Sequence, residues 1–435
     1  VVLLLGTFLV VRTLGQTNTY RWTRTDLFFG GLLSVLILST LLHDWSWRGN
    51  LPMARLLFYY LLPAALYWVA RQAQTRQPLL ILAFAAVAAF GTYLSATAIA
   101  ETREWYGLVF PKFIYTSSFT EFLGRGRGPL LNPVGNGILI CVSMVSALML
   151  WPHVRKPGRV AIVLCVLLHL VGAYCTLTRS VWLAAAGCLG IVGLLSFPVR
   201  IRRLCIVAAL LGGTIVLPVT YQKFKAFKRD KNVSVADMAG SASLRPIFAH
   251  VAWSMFKDNP LTGVGYGHYR ECSPYYTQDR STDLRLRLAV KYEQHNAWLS
   301  LLVETGLVGV LLFTATYLGW LRAGWQLWKR LDAPLAARQV GLLQLTFCFT
   351  YFVNGMLHEL SIIPMMNMAF FCLSGLTVGL WLHYVVPAAI PKPVKVLPGT
   401  LPIAAPNLAG TALYVRSGRA PAIPEASRPG ATQTC

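Results

Sequence analysis

Long apolar runs separated by short polar connectors set the pattern of this chain. A membrane-spanning helix needs about 20 mainly apolar residues. Eleven segments approach that length: 1–14, 26–42, 53–70, 78–97, 133–151, 159–176, 180–197, 204–220, 298–321, 339–357 and 363–386. The pattern predicts an all-α polytopic membrane protein. The first run starts at Val1 with no preceding Met or basic region, so a truncated helix is expected there rather than a signal peptide. Two longer polar stretches interrupt the series, 98–132 and 221–297. Within the first, Gly107 to Phe122 is aromatic but too interrupted to span, and reads as an interfacial or re-entrant piece.

Four regions follow. Residues 1–220 are expected to be N-terminal transmembrane helices, 221–297 a large extracytoplasmic loop with short helices, and 298–386 the C-terminal transmembrane helices. The Pro-, Ala- and Gly-rich residues 387–435 cannot bury enough apolar area to fold, and are expected to be a disordered cytoplasmic tail. In the large loop, 233–243 reads as flexible and Ile247 to Phe256 as helical. Asn259-Pro260 and Gly263, Gly265 and Gly267 then impose a turn.

Connector charges give an orientation. Arg12, Arg21, Arg24, Arg71, Arg76, Arg155, Lys156, Arg159, Arg200, Arg202, Arg203, Arg322, Lys329, Arg330 and Arg338 fall on one side. The short connectors of the other side offer only Arg48, Arg55 and Arg179. Cytoplasmic connectors are enriched in Lys and Arg, so the first side is predicted to be cytoplasmic and the large loop periplasmic. Trp45, Trp47, Trp68, Trp151, Trp320 and Trp328 near the segment ends fit the headgroup layer.

Composition agrees. Only 13% of residues are charged, against about 25% in a soluble domain, so lipid must cover much of the surface. The net charge of +23 would suggest nucleic acid in a soluble protein. Here the basic residues lie between apolar segments, which fits anionic phospholipids and an anionic substrate, with no nucleic acid. The run Lys223, Lys225, Lys228, Arg229 and Lys231 beside a membrane exit reads as lipid-binding. Nine Cys show no metal-like spacing, and most fall inside apolar runs. No P-loop, dinucleotide fingerprint or HExxH motif occurs, so no cofactor and no metal site is expected.

Candidate chemistry gathers at the predicted outer side. Arg179, in Thr176-Leu177-Thr178-Arg179-Ser180, is either a headgroup-level loop arginine or an anion clamp, since a guanidinium can hold phosphate oxygens bidentately. Arg245 opens the stretch carrying Phe248, Trp253 and Phe256, and His250 shares it. His295 and Asn296 stand where the loop re-enters the membrane. An imidazole there either caps a helix or removes a proton from a hydroxyl nucleophile. Glu304 is a membrane-embedded acid, suited to pairing with an arginine or orienting a neighbour. Arg285, Arg287 and Lys291 approach His295 in sequence and are candidates for lining a substrate entrance.

Two ordered motifs carry a resemblance. Arg245 through Arg270, with Asn259-Pro260-Leu261-Thr262-Gly263-Val264-Gly265-Tyr266-Gly267, resembles the bacterial O-antigen ligase and polymerase superfamily. So does His295-Asn296-Ala297-Trp298-Leu299 followed by Glu304-Thr305-Gly306-Leu307-Val308-Gly309. The resemblance implies a multi-helix, lipid-carrier-dependent glycosyltransferase bundle with a large periplasmic loop, in the bacterial cytoplasmic membrane. It implies metal-independent, inverting transfer of a glycan from undecaprenyl-pyrophosphate to an acceptor hydroxyl, either lipid A core or another envelope glycan. It also implies pyrophosphate contacts for Arg179 and Arg245, and a base or acceptor-orienting role for His295. His250 and Glu304 receive no role from it. Polymerase action within the same superfamily stays open. So does a transporter or flippase for a lipid-linked or anionic solute, although no inverted repeat is visible.

Overall fold

The computed structural model describes residues 21–46, 51–73, 76–116, 122–200, 202–203, 206, 235–290, 294–360 and 363–386, with 235–243 as backbone only. The expected spans 1–14 and 204–220, the basic run 223–231, Lys291 and the tail from 387 onward lie outside the described residues.

Asp26 starts the bundle. Its carboxylate and the Thr23 side chain cap each other's backbone N–H groups (2.8 and 3.2 Å), a reciprocal box that begins α1, Arg24–Leu42. The same carboxylate accepts the Tyr67 hydroxyl (2.7 Å) and pairs with Arg71 (2.7 Å), both on α2, Pro52–Arg71. A fully buried charge needs such partners, and these tie α2 to the start of α1. An i→i+5 turn over Leu57–Leu61 widens α2 in its first half.

Then come α3 (Gln77–Thr102), α4 (Pro133–Met149), α5 (Lys156–Cys175) and α6 (Arg179–Ser196). The loop helices α7 (Val235–Asp258) and α8 (Tyr269–Tyr276) precede α9 (Ala297–Lys329), α10 (Leu335–Gly355) and α11 (Pro364–Tyr384). Among the described residues, eight helices are long and apolar enough to cross a membrane: α1 to α6, α9 and α11. All nine described candidate spans are therefore helices, but α10 differs in kind. It carries Gln339, Gln344, Thr346, Thr350 and Asn354 facing inward, each bonded or packed within the bundle, as with Gln339 to the Met149 carbonyl (2.7 Å) and Gln344 to Ser374 (2.9 Å). It is a mostly apolar helix with a set of buried polar side chains, enclosed by α4, α6, α9 and α11.

Close approach of small residues tightens the rest. A Cβ on Gly375 or Gly379 of α11 would lie 2.2 and 2.3 Å from the backbone oxygens of Tyr67 and Arg71, so only glycine lets these helix backbones touch. Phe29, Tyr67, Trp320, Phe370 and Phe371 interlock edge to face beside that contact, joining α1, α2, α9 and α11.

The ends alternate. Leu42, Thr102, Cys175 and Gly355 finish helices at the end where the loop helices sit, and Pro52, Pro133, Arg179 and Ala297 start them there. The connectors at the opposite end carry Arg71, Arg76, Arg155, Lys156, Arg159, Lys329, Arg330 and Arg338. The described candidate residues gather at the loop end.

Candidate functional site

The central structural event is a break in α9. Gly306 adopts φ 65° and ψ −164°, which interrupts an otherwise continuous run from Ala297 to Lys329. A break strands backbone groups on both sides, and in an apolar bundle each must find a partner. The stretch Pro260–Gly265 supplies them. Its Val264 and Gly265 N–H groups donate to the carbonyls of Val303 (2.9 Å) and Glu304 (3.1 Å). Its Pro260 and Leu261 carbonyls accept from Leu307 (2.8 Å) and Val308 (3.4 Å). The two motifs that carry the sequence resemblance are thus the two halves of one backbone joint.

The glycines are what allow it. A Cβ on Gly263 (φ 72°) would stand 2.5 Å from the backbone of Val303, Glu304 and Thr305, and one on Gly306 would stand 2.2 Å from the Leu261 oxygen. Gly265 and Gly267 meet His43 and Pro52 in the same way, at 2.7 and 3.0 Å. These glycines bring backbone against protein rather than against a ligand.

With the joint made, the loop closes over the first turns of α9. Ile247, Phe248, Val251, Ala252 and Met255 form the buried stripe of α7, packed on Tyr269, Leu286 and Val303. Arg245 and Trp253 are left exposed on the other face. Sequence placed Arg245 at the start of this helix. It lies inside instead, directly before Pro246, because the helix begins at Val235.

His295 stands at the meeting point. Its φ of 51° precedes the cap of α9, and its exposed ring lies 5.4 Å from that of Phe248, one turn along α7 from Arg245. The capping role that competed for His295 belongs to Asn296, whose side chain accepts from the Trp298 and Leu299 N–H groups (both 3.0 Å). The Asn296 amide also donates to the Met356 carbonyl (3.2 Å), drawing in the connector between α10 and α11.

That connector leads to Arg179. His358, half-buried, lies 3.2 Å from the Ser180 hydroxyl. Arg179, exposed, begins α6 immediately before it. On its other flank, the turn Thr176-Leu177-Thr178 is held by buried Arg125, which donates to the Thr176 carbonyl (3.2 Å) and the Thr178 hydroxyl (2.7 Å). Gly126 N–H adds a bond to the Cys175 carbonyl (2.8 Å). The contacts Ser180–His358, Met356–Asn296 and His295–Phe248 therefore link the elements that carry Arg179, His295 and Arg245 at the loop end.

The other candidates distribute differently. Glu304 is buried directly before the break, with the Arg55 guanidinium 4.0 Å away and Tyr266 beside the two. Burial pushes the Tyr266 phenol well above its ordinary value, so it stays neutral there. His250 turns away from His295 toward Asp279 (3.6 Å). The Ser281 N–H bonded to Asp279 (2.8 Å) lowers that carboxyl from its usual range. Arg285 and Arg287 are exposed on the loop surface, and Lys291 is outside the described residues. Among the described residues, no three His, Cys, Asp or Glu side chains group as metal ligands would.

Sequence reasoning passed over Arg125, His358 and Glu359, the last buried next to His358 in the connector between α10 and α11. The signal for the last two was available: a His-Glu pair in a short connector at the end poor in charge. Arg125 had none, because Gly124-Arg125-Gly126-Arg127-Gly128 reads as a solvated loop.

A family model described as O-antigen ligase matches residues 138–314, from α4 through the joint into α9. This match supports assignment of the chain to the O-antigen ligase-related superfamily of membrane proteins. The ligase match contains Arg179, Arg245, His295 and both halves of the backbone joint, and leaves Arg125 and His358 outside it. No curated protein matches the chain.

Proposed function

We propose that this O-antigen ligase relative transfers a glycan from undecaprenyl-pyrophosphate to an acceptor hydroxyl at the outer face of the bacterial cytoplasmic membrane. The observation that carries the reading is the contact of His295 with Phe248. It sets an exposed imidazole against a residue one helical turn from Arg245, within a ligase-matched segment that also contains Arg179. The basic connectors at the opposite end support a periplasmic loop end.

In this reading Arg179 and Arg245 hold the donor pyrophosphate. The acceptor oxygen attacks the anomeric carbon from the face opposite the leaving group, the C1–O bond to phosphate breaks, and the configuration inverts. The electron pair of that bond leaves with undecaprenyl pyrophosphate, and the acceptor proton passes to His295. Two guanidiniums oppose the charge that grows on the leaving phosphate, the task a divalent cation performs elsewhere. His358 steadies Ser180 and with it the first turn of α6. Glu304 and Arg55 brace the joint beneath the loop. Lipid A core is the acceptor of a ligase, and a second carrier-linked repeat unit that of a polymerase. A bundle in lipid suits a donor whose polyprenyl tail stays in the membrane.

Donor binding tests the clamp separately from turnover. Undecaprenyl pyrophosphate without glycan, titrated into the protein in nanodiscs, should bind at least about tenfold more weakly to Arg179→Ala and to Arg245→Ala, since a lost charged hydrogen bond costs about 1.5–3 kcal/mol. Inorganic pyrophosphate should compete. Parent-like affinity in both variants would remove the arginines from the site.

A further inference from the structure

The segment between α3 and α4 holds an element that the ligase match does not reach. After Thr102 the chain turns back along α3. The Tyr93 hydroxyl donates to the Phe110 carbonyl (2.6 Å), and Tyr93 lies nine residues before the helix end at Thr102. At about 1.5 Å per residue, the tip of this hairpin sits about 14 Å back from the end of a membrane-spanning helix. Its inner face is closed, with Val109 and Ile114 buried against Ala100. Its outer face is apolar and exposed: Trp105, Leu108, Phe110 and Phe113, with Leu108 74% and Phe110 69% accessible. Phe90 of α3, also exposed and 6.1 Å from the Tyr93 ring, continues that surface.

Backbone chemistry matches a low-dielectric setting. The Lys112 ammonium folds over the hairpin and donates to the carbonyls of Gly107 (3.3 Å) and Tyr106 (3.5 Å). The Arg127 guanidinium, itself buried, donates to the Ile114 carbonyl and to Glu101 (3.4 Å). Stranded carbonyls would otherwise face hydrocarbon without partners.

We propose that residues 103–116 form a re-entrant wedge embedded in the bilayer leaflet on the loop side. Leu108, Phe110 and Phe113 lie among acyl chains, Trp105 and Tyr106 lie at the headgroup level, and Arg103 meets lipid phosphate. The partner is the lipid itself, because the wedge continues the lipid-facing surface of α3 at a depth only lipid occupies. The wedge is fastened to the candidate site. Arg127 and Glu101 hold its returning strand and Gly128 (2.7 Å), and Arg125, two residues earlier, holds the turn before Arg179. The height of Arg179 relative to the leaflet is therefore set by an element anchored in that leaflet. The inference does not depend on the transfer reaction.

Depth-dependent quenching tests it in the full chain in nanodiscs. Phe110→Cys and Leu108→Cys, each labelled with bimane, are read against the parent protein labelled in parallel, so that native thiols are subtracted. Arg285→Cys serves as the exposed reference. Phospholipids brominated in the acyl chain should quench both tip labels about threefold or more strongly than aqueous iodide, with the order reversed at the reference, as expected for a tip inside the hydrocarbon zone. Iodide quenching equal to the reference would overturn the proposal. Protection from both quenchers would overturn it too, by placing the tip against protein. Two tip positions guard against one variant failing to fold.

Discussion

His295→Ala should lower kcat for glycan transfer by about 10²–10⁴-fold, the usual contribution of a general acid–base group. Undecaprenyl pyrophosphate should still bind this variant within about threefold of the parent, because the imidazole acts on the acceptor proton and not on the ground-state anion. The His295 ring packs edge-on against Phe248, so the melting of the variant is read beside its turnover. The ring is exposed, the cap of α9 is made by Asn296, and the loop core is carried by Phe248, Val251 and Met255 behind it. Initial rates over a range of donor and acceptor concentrations separate the two effects. A kcat within threefold of the parent, in a variant that melts like the parent, would remove the proposed base. A loss confined to donor affinity would move His295 into the clamp instead.

The second large effect concerns the joint. Gly306→Ala should abolish the native docking of the loop. Its backbone conformation is one that essentially only glycine adopts, and strain of this kind costs on the order of 1–3 kcal/mol. The added methyl would also sit 2.2 Å from the Leu261 oxygen and 2.3 Å from its carbonyl carbon. Neither strand can retreat, since the Leu307–Pro260 and Val264–Val303 bonds hold them on both sides. Overpacking against backbone adds about 1–3 kcal/mol. Gly190→Ala is the control: it lies in α6 with nothing within 4 Å of a Cβ, and should leave stability unchanged or raise it by up to about 1 kcal/mol. Hydrogen exchange reads the outcome directly. The Val264, Gly265, Leu307 and Val308 amides should lose protection in Gly306→Ala alone. Retained protection, with parent-like melting, would contradict the role given to the break.

Physical reasons separate what was legible in the sequence from what was not. Hydropathy exposes a spanning helix because its signal is summed over many residues, so the segments from 26–42 to 363–386 that lie within the described residues all emerged as helices. The grouping of connectors summed too, since Arg71, Arg155, Lys156 and Arg338 fall at one end of the bundle. The nature of α10 did not emerge, because Gln339, Gln344 and Asn354 gain their partners only from helices distant in sequence.

The break at Gly306 was hidden for a related reason. A glycine within an apolar run reads as a tolerated helical residue, and its docking partners Pro260 and Leu261 lie 45 residues or more away. Both motifs were visible, but not that each completes the other's hydrogen bonds. The helix of the loop starts at Val235 rather than near Ile247, since the Gly and Ser residues at 240–243 suggested chain mobility. Among the candidate residues, Arg179, Arg245 and His295 stood out by charge and chemistry at predicted helix ends. His250, a weaker candidate in the sequence than His295, lies 3.6 Å from Asp279 in the fold, a partner distant in sequence. Arg125 was missed because burial, which makes an arginine structural, is not a local property.

The central claim is that this membrane protein moves a glycan off a polyprenyl carrier at its loop end, and direct transfer measures it. The purified chain in nanodiscs is given a glycan on undecaprenyl-pyrophosphate, with no ATP and with EDTA present, and each acceptor is offered separately. The account predicts loss of donor, release of undecaprenyl pyrophosphate and a glycan of inverted anomeric configuration on an acceptor hydroxyl. Product on lipid A core identifies a ligase, and a lengthened carrier-linked chain identifies a polymerase. No transfer to any acceptor, together with movement of the intact carrier across the bilayer, would contradict the account.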